Sequence, residues 1–286
     1  PLQNRKFNPP NFHPNPLSSR GLNTGKKIYF ASDLHLGAPD AAASLLREKH
    51  FVRWLETIKP TVAELYLMGD VFDFWFEYRQ AIPKGYSRIL GKLCELADLG
   101  VKIHYFVGNH DMWMQRYFTE QFGAEIHYQP VVRKLFGKTY YIGHGDGLGP
   151  GDRKYKLLKR VFRNPLAQWA FHRLHPNFGI SLANYFSRKS RRKTGHEDAI
   201  DHGDNEFLLI FAKESLKENP EIDYFVFGHR HLPKYHPLEN EKAYLNLGDW
   251  ITHFTFLQVD ENGPRLYRFL LDGHTIPLPA PSANRS

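Results

Sequence analysis

The chain has 286 residues, 42% hydrophobic and 24% charged, with a formal net charge of +8 and a pI of about 9.4. That length suits one large α/β domain or two modest ones, and the basic balance points to an anionic partner such as nucleic acid, a phosphorylated metabolite or an anionic membrane surface. A lone cysteine, Cys94, excludes an intramolecular disulfide and a cysteine-built zinc site, and no run approaches the ~18–20 apolar residues that span a bilayer.

Residues 1–25 are polar and proline-rich, without an apolar segment of signal-peptide type, and are read as a flexible tail. "KIYFASDLH" (27–35) is the first strand, ending in polar residues. "SLLREKHFVRWLETI" (44–58) follows as a helix, with Leu45, Leu46, Phe51, Val52 and Leu55 on one side. "AELYLMGD" (63–70) is a strand into a turn. "YSRILGKLCELADLG" (86–100) is a helix stopped by Gly100, with Cys94 on its apolar face. "VKIHYFVGNHD" (101–111), "KTYYIGHGDG" (138–147) and "IDYFVFGHRH" (222–231) repeat the strand-into-turn form. This alternation predicts βαβ units. The runs between 242 and 273 read as strands with little helix, as a second sheet or a closing meander.

Between 147 and 222 the character changes. From Arg153 to His196 there is no Asp or Glu, while Lys and Arg alternate with Leu157, Phe162, Trp169, Phe171, Phe178 and Phe186. This predicts a mostly helical insertion beside the core. The expected divisions are the tail 1–25, a core in two parts (26–150 and 222–273), the insertion 151–221 and a C-terminal tail 274–286.

Five of the strand-like runs end in polar clusters: Asp33-Leu34-His35, Gly69-Asp70, Gly108-Asn109-His110-Asp111, Gly143-His144-Gly145-Asp146 and Gly228-His229-Arg230-His231. Ligand sites of open α/β sheets lie at the carboxyl ends of strands, so five such ends can converge on one rim. Alternation along an extended segment would point His229 and His231 the same way. Mixed oxygen and imidazole donors without sulfur suit borderline divalent ions. Seven candidate ligands are too many for one ion, and two ions sharing a carboxylate can clamp a phosphoryl group and activate water.

The order DxH, GD, GNHD, GH, GHxH resembles the calcineurin-like metallophosphoesterases over residues 27–250. The resemblance implies a four-layer αββα sandwich, with the insertion as a basic and apolar lid. It implies Asp33, His35, Asp70 and His231 around one metal, and Asp70, Asn109, His144 and His229 around the other, with Asp70 bridging. His110 would be the general acid or transition-state stabiliser, oriented by Asp111. "GDVFDFWFE" (69–77) is similar to the corresponding run of UDP-2,3-diacylglucosamine diphosphatases of lipid A synthesis, which carry such a lid. "HGDGLGPGDRKY" (144–155) and "SRKSRR" (187–192) resemble their segments leading into and within it. That match suggests Asp152, Arg188, Ser190 and Arg191 as substrate contacts. One departure is His110, where diphosphatases of this group commonly carry Arg.

The expectation is therefore a hydrolase with two divalent ions, manganese in first place and iron, zinc or cobalt as alternatives. Its partners would be a lipid-linked UDP-sugar and the cytoplasmic surface of an inner membrane, without nucleic acid. The same residues leave open a nuclease or general phosphodiesterase with a strand-binding lid, and a non-catalytic scaffold. The lid aromatics suit an acyl cleft or plain packing on the core.

Overall fold

The structure, a computed structural model, describes residues 25–149, 153–194 and 200–279. Residues 1–24 of the expected N-terminal tail lie outside the described residues, as do Asp152 and residues 280–286.

β-Branched and aromatic runs form strands, and these end where glycine and polar residues begin. β1 (Lys27–Ala31), β2 (Val62–Leu67), β3 (Lys102–Phe106) and β4 (Glu125–His127) run parallel. Helices α1 (Ala41–Ile58), α2 (Ser87–Asp98) and α3 (Tyr117–Phe122) make the connections. The second sheet contains β5 (Val131–Leu135), β6 (Lys138–Gly143), β7 (Tyr224–Phe227), β8 (Pro233–Pro237) and β9 (Ala243–Leu247), in the order β5-β6-β7-β9-β8. There β6, β7 and β9 are parallel. Between β6 and β7 lie α4 (Arg153–Phe162), α5 (Pro165–His172), α6 (Pro176–Thr194) and α7 (Phe207–Glu218). The chain then returns to the first sheet, where β10 (Thr255–Asp260) pairs antiparallel with β1, and β11 (Gly263–Phe269) and β12 (Thr275–Pro277) complete a meander.

Period-two alternation builds the layers. Ile28 and Phe30 face the space between the sheets, with Tyr66, Phe106, Val226, Leu245 and Leu257. Tyr29 and Ala31 face the other way, onto Phe51, Trp54 and Leu55 of α1 and Leu93 and Leu96 of α2. The outer face of the second sheet is covered by α7, whose Leu208, Leu209 and Phe211 meet Tyr141, Phe225 and Phe227. Helix, sheet, sheet, helix is the expected αββα order, and burial of each such side chain contributes about 1.5–3 kcal/mol.

Three expectations need correction. The insertion does not run to 221, because α7 is a covering helix of the core; the helices standing apart are α4 to α6. The C-terminal tail does not begin at 274, because Thr275–Pro277 pairs with β11. In α1, Leu45 and Leu46 are exposed, while Ser44, Arg47, Glu48 and His50 are buried beside Phe51 and Trp54. Arg47 explains this: its Nη1 donates to the carbonyls of Leu34, His35 and Ala38 at 2.9, 3.0 and 3.0 Å, and so fastens the loop after β1. Cys94 is half-buried against the core, as its helical position predicts.

Candidate metal centre

The ends of β1, β2 and β3 from one sheet meet those of β6 and β7 from the other, and each of the five polar clusters lies there. Asp33, His35, Asp70, His229 and His231 all have positive φ (57°, 44°, 52°, 68° and 54°). They make up half of the ten non-glycine residues in that region among the described residues. Such backbone costs of order 1–3 kcal/mol per residue and concentrates at functional sites. It also overturns the alternation expected of His229 and His231. Their segment is not extended, and the two rings serve different groups.

His231 Nε2 lies 3.1 Å from Asp33 Oδ1 and 3.2 Å from His35 Nε2. His144 Nε2 lies 3.2 Å from Asn109 Oδ1, and its ring is 5.1 Å from that of His229. Between these groups stands Asp70, whose Oδ2 is 3.7 Å from His35 Nε2 and 3.5 Å from His144 Nε2. One carboxylate oxygen thus faces both halves. The other, Oδ1, accepts from the His110 backbone N–H at 2.8 Å, which fixes the orientation of the carboxylate. Asp33 is oriented in the same way: Oδ2 accepts from Ser32 Oγ at 2.5 Å and from the His229 N–H at 2.9 Å. Its Oδ1 is buried, and the groups nearest it are the His231 and His35 imidazole nitrogens at 3.1 and 3.8 Å. A buried carboxylate oxygen among imidazoles is costly unless positive charge meets it.

Close approach explains two glycines. A Cβ on Gly108 would overlap the Asp70 carboxylate, and one on Gly228 would lie 2.5 Å from Ser32 Oγ and 2.7 Å from Asp33 Oδ2.

The electrostatics match. Burial works against charge on Asp70, but His144, His110 and His35 outweigh it and hold the carboxyl well below the usual range. Burial also disfavours charge on His144, yet Asp70, Asp33 and Asp146 raise it to about 10. His144 Nδ1 donates to Met68 O at 2.7 Å, so Nε2 is the nitrogen turned to the site. His229 goes the other way, lowered to about 4 by burial and by His144. The donors are oxygen and imidazole nitrogen, in two groups sharing Asp70. They fit two divalent ions of borderline character.

His110 adjoins this centre, its ring edge-on to His35 with centroids 4.8 Å apart. Asp111 does not orient it. Fully buried, Asp111 accepts from the Val71 and Gly108 N–H groups at 3.0 and 2.8 Å and from Tyr105 Oη at 2.5 Å, and so ties two ligand loops together. The carboxylate facing His110 Nδ1 is that of Asp73, whose Oδ1 is 3.4 Å away and whose carbonyl is 3.2 Å away. Asp73 was present in the "GDVFDFWFE" run, but a one-letter pattern does not say where the carboxylate turns. Asp249, in "NLGDW", was also missed; its Oδ2 lies 4.0 Å from His231 Nδ1. Of the expected substrate contacts, Asp152 lies outside the described residues. Arg188, Ser190 and Arg191 lie on α6, with side chains outside what is described.

A second group, His104, Glu125 and His127, also gathers within 4.8 Å. Here Arg133 Nη2 donates to both Glu125 oxygens at 2.8 and 2.7 Å, so a protein cation already meets them, and His127 Nε2 lies 3.3 Å from His104 Nδ1. It is a structural cluster.

A two-sheet α/β sandwich with Asp, His and Asn gathered at its strand ends is the architecture of a metal-dependent hydrolase. The chain belongs to the calcineurin-like phosphoesterase family, whose model matches residues 26–233. It is 43% identical over 242 residues to a UDP-2,3-diacylglucosamine hydrolase of Porphyromonas gingivalis, covering 80% of this chain and 92% of that one. A protein of the same name from Pseudomonas aeruginosa is 29% identical over 251 residues, covering 85% of this chain and 99% of that one. Among solved structures, Yfce, a phosphoesterase from E. coli, is similar with a TM-score of 0.43 and 19% identity, covering 87% of this chain and 96% of that one.

Proposed function

We propose that the chain hydrolyses the pyrophosphate bond of UDP-2,3-diacylglucosamine, giving UMP and 2,3-diacylglucosamine 1-phosphate, a step of lipid A biosynthesis. The observation that carries the phosphoesterase chemistry is Asp70 Oδ2, poised between the His35 and His144 groups beside His110. The names of the relatives supply the substrate.

In this reading Asp33, His35, Asp70 and His231 hold one divalent ion, and Asp70, Asn109, His144 and His229 hold the second. Manganese is the first candidate. When bound, the pair supplies charge for the phosphoryl oxygens and activates water for in-line attack at the α-phosphorus. His110 protonates or stabilises an oxygen as charge develops, and its removal costs about 10²–10³ in rate. Asp111 stiffens the loops from behind. Asp152, Arg188, Ser190 and Arg191 contact the substrate phosphates and sugar.

The lid suits the rest of the substrate. Leu157, Leu166, Trp169, Phe178, Tyr185 and Phe186 are exposed, with the exposed Arg160 and Arg173 among them. No helix among the described residues is long and apolar enough to cross a membrane. An apolar surface studded with cations fits peripheral attachment to an anionic membrane from the cytoplasmic side, where each basic residue adds about 1 kcal/mol.

The test is phosphate-31 NMR with Mn²⁺ and UDP-2,3-diacylglucosamine in detergent, run in ¹⁸O water. UMP carrying the label and an acyl-sugar 1-phosphate are expected. An intact lipid beside cleavage of an aryl phosphodiester would remove the substrate assignment and leave the centre standing.

A further inference from the structure

We propose that Ser187, on α6, is a positioning residue for His110, so that a lid helix helps to hold the imidazole ring with Nε2 towards the metal centre. This rests on the role proposed above for His110.

Three oxygens surround His110 Nδ1: Ser187 Oγ at 3.0 Å, the Asp73 carbonyl at 3.2 Å and Asp73 Oδ1 at 3.4 Å. A carbonyl and a carboxylate only accept. A serine hydroxyl can do either, but here it donates to Asp73 O at 3.2 Å. Its lone pairs therefore remain for the imidazole. All three oxygens present themselves to Nδ1 as acceptors, which puts the N–H on Nδ1 and leaves Nε2 for the reaction.

Ser187 reaches this place because its helix is docked. Ile180 and Ala183 lie three or four residues apart on the same face as Ser187, and both pack with Phe171 on Phe74, Phe76 and Trp113. Trp113 Nε1 donates to the Phe162 carbonyl at 2.6 Å, holding the end of α4 to the loop after β3, which carries His110 itself. Asp73 and Phe74 are neighbours in sequence. The loop that carries the lid thus also carries the oxygens facing His110. No motif in the sequence connects residues 110 and 187.

The test compares wild type, Ser187→Ala, Ser187→Thr and Ser181→Ala. Ser181 is exposed on the same helix and serves as the control. The probes are the phenyl and 4-nitrophenyl esters of thymidine 5′-phosphate with Mn²⁺. Phenolate needs help to leave and 4-nitrophenolate little. Ser187→Ala is expected to lower kcat about 10-fold on the phenyl ester and less on the nitrophenyl ester, with KM unchanged. That fall stays well short of the ~10²–10⁴ of losing an acid-base group outright. Ser187→Thr restores the rate, and Ser181→Ala matches wild type.

A second measurement needs no turnover. Long-range ¹H–¹⁵N spectra of the metal-free protein, assigned with His110→Gln, should show a sharp Nδ1-protonated ring in wild type and Ser187→Thr, and a shifted, exchange-broadened Nδ1 signal in Ser187→Ala, where Asp73 alone holds the ring. An unchanged ring pattern in Ser187→Ala overturns the proposal. So do equal rate losses on both esters without rescue by threonine. If wild type cleaves neither ester, the proposed phosphoesterase reaction fails, and the ring pattern still decides the role of Ser187.

Discussion

Asp70→Asn should abolish both ion sites at once, and the structure gives the size of the effect. Asparagine keeps the shape of the side chain, and its carbonyl can keep the hydrogen bond from His110 N now made by Oδ1. The fold is therefore retained. What disappears is an anionic oxygen shared between the His35 and His144 groups, which stand 3.7 and 3.5 Å from it. Free Mn²⁺ at 100 times its Kd stabilises a protein by about 2.7 kcal/mol per site. Two sites contribute about twice that. At about 2–4 °C per kcal/mol, wild type should gain on the order of 10–20 °C in Tm on metal addition, and Asp70→Asn almost nothing. Asn109→Ala touches only the second group and should keep about half of the shift. Scanning fluorimetry with and without Mn²⁺, together with elemental analysis after desalting, measures both quantities. Two equivalents of metal and a full shift in Asp70→Asn would refute the sharing of this carboxylate.

Three other consequences can be checked. Gly108→Ala forces a methyl group into the Asp70 carboxylate, and should lose metal binding and at least about 10² in kcat/KM while remaining folded; a loss under twofold would mean that the loop yields freely. Arg47→Met removes three donated hydrogen bonds from the loop after β1 and should cost about 2–4 kcal/mol, read as a lower midpoint in urea. His127 is lowered to about 4, chiefly by burial, with His104 and Arg133 adding to the effect. Its neutral form is favoured in the fold, so the unfolded chain binds more protons as pH falls below about 6.5. Stability should decline from there towards pH 4, by roughly 3 kcal/mol at about 1.4 kcal/mol per unit. His127→Gln should flatten that slope in urea titrations, and an unaltered slope would assign the acid sensitivity elsewhere.

The sandwich and the gathering of seven candidate ligands at one rim were legible because each lies where a short apolar run gives way to polar residues, mostly beside a glycine, a signal contained in a few adjacent residues. What depended on direction was not. His229 and His231 are separated by one residue, and only the left-handed backbone at both sends one ring to Asp33 and the other to His144. Asp111 looked like a partner for His110 because it is next in sequence. Its carboxylate turns inward to three donors, and Asp73, from another strand end, takes the place. The inward polar face of α1 was likewise hidden, since Arg47 has no apolar periodicity to mark it. The helical insertion was drawn too long because α7 is as helical as its predecessors, and only its contacts with Tyr141 and Phe225 assign it to the core.

The inner apolar layer between the sheets has a role beyond cohesion. His35, Asp70 and Asn109 come from one sheet, and His144, His229 and His231 from the other. Each ligand group draws on both sheets, since His231 joins Asp33 and His35 while Asn109 joins His144, so the girth of Phe30, Tyr66, Leu245 and their neighbours acts as a spacer gauge that sets the span across each group. Exchanging a leucine for a valine deep in the sandwich would therefore alter the fit of the centre to an ion without altering a single ligand.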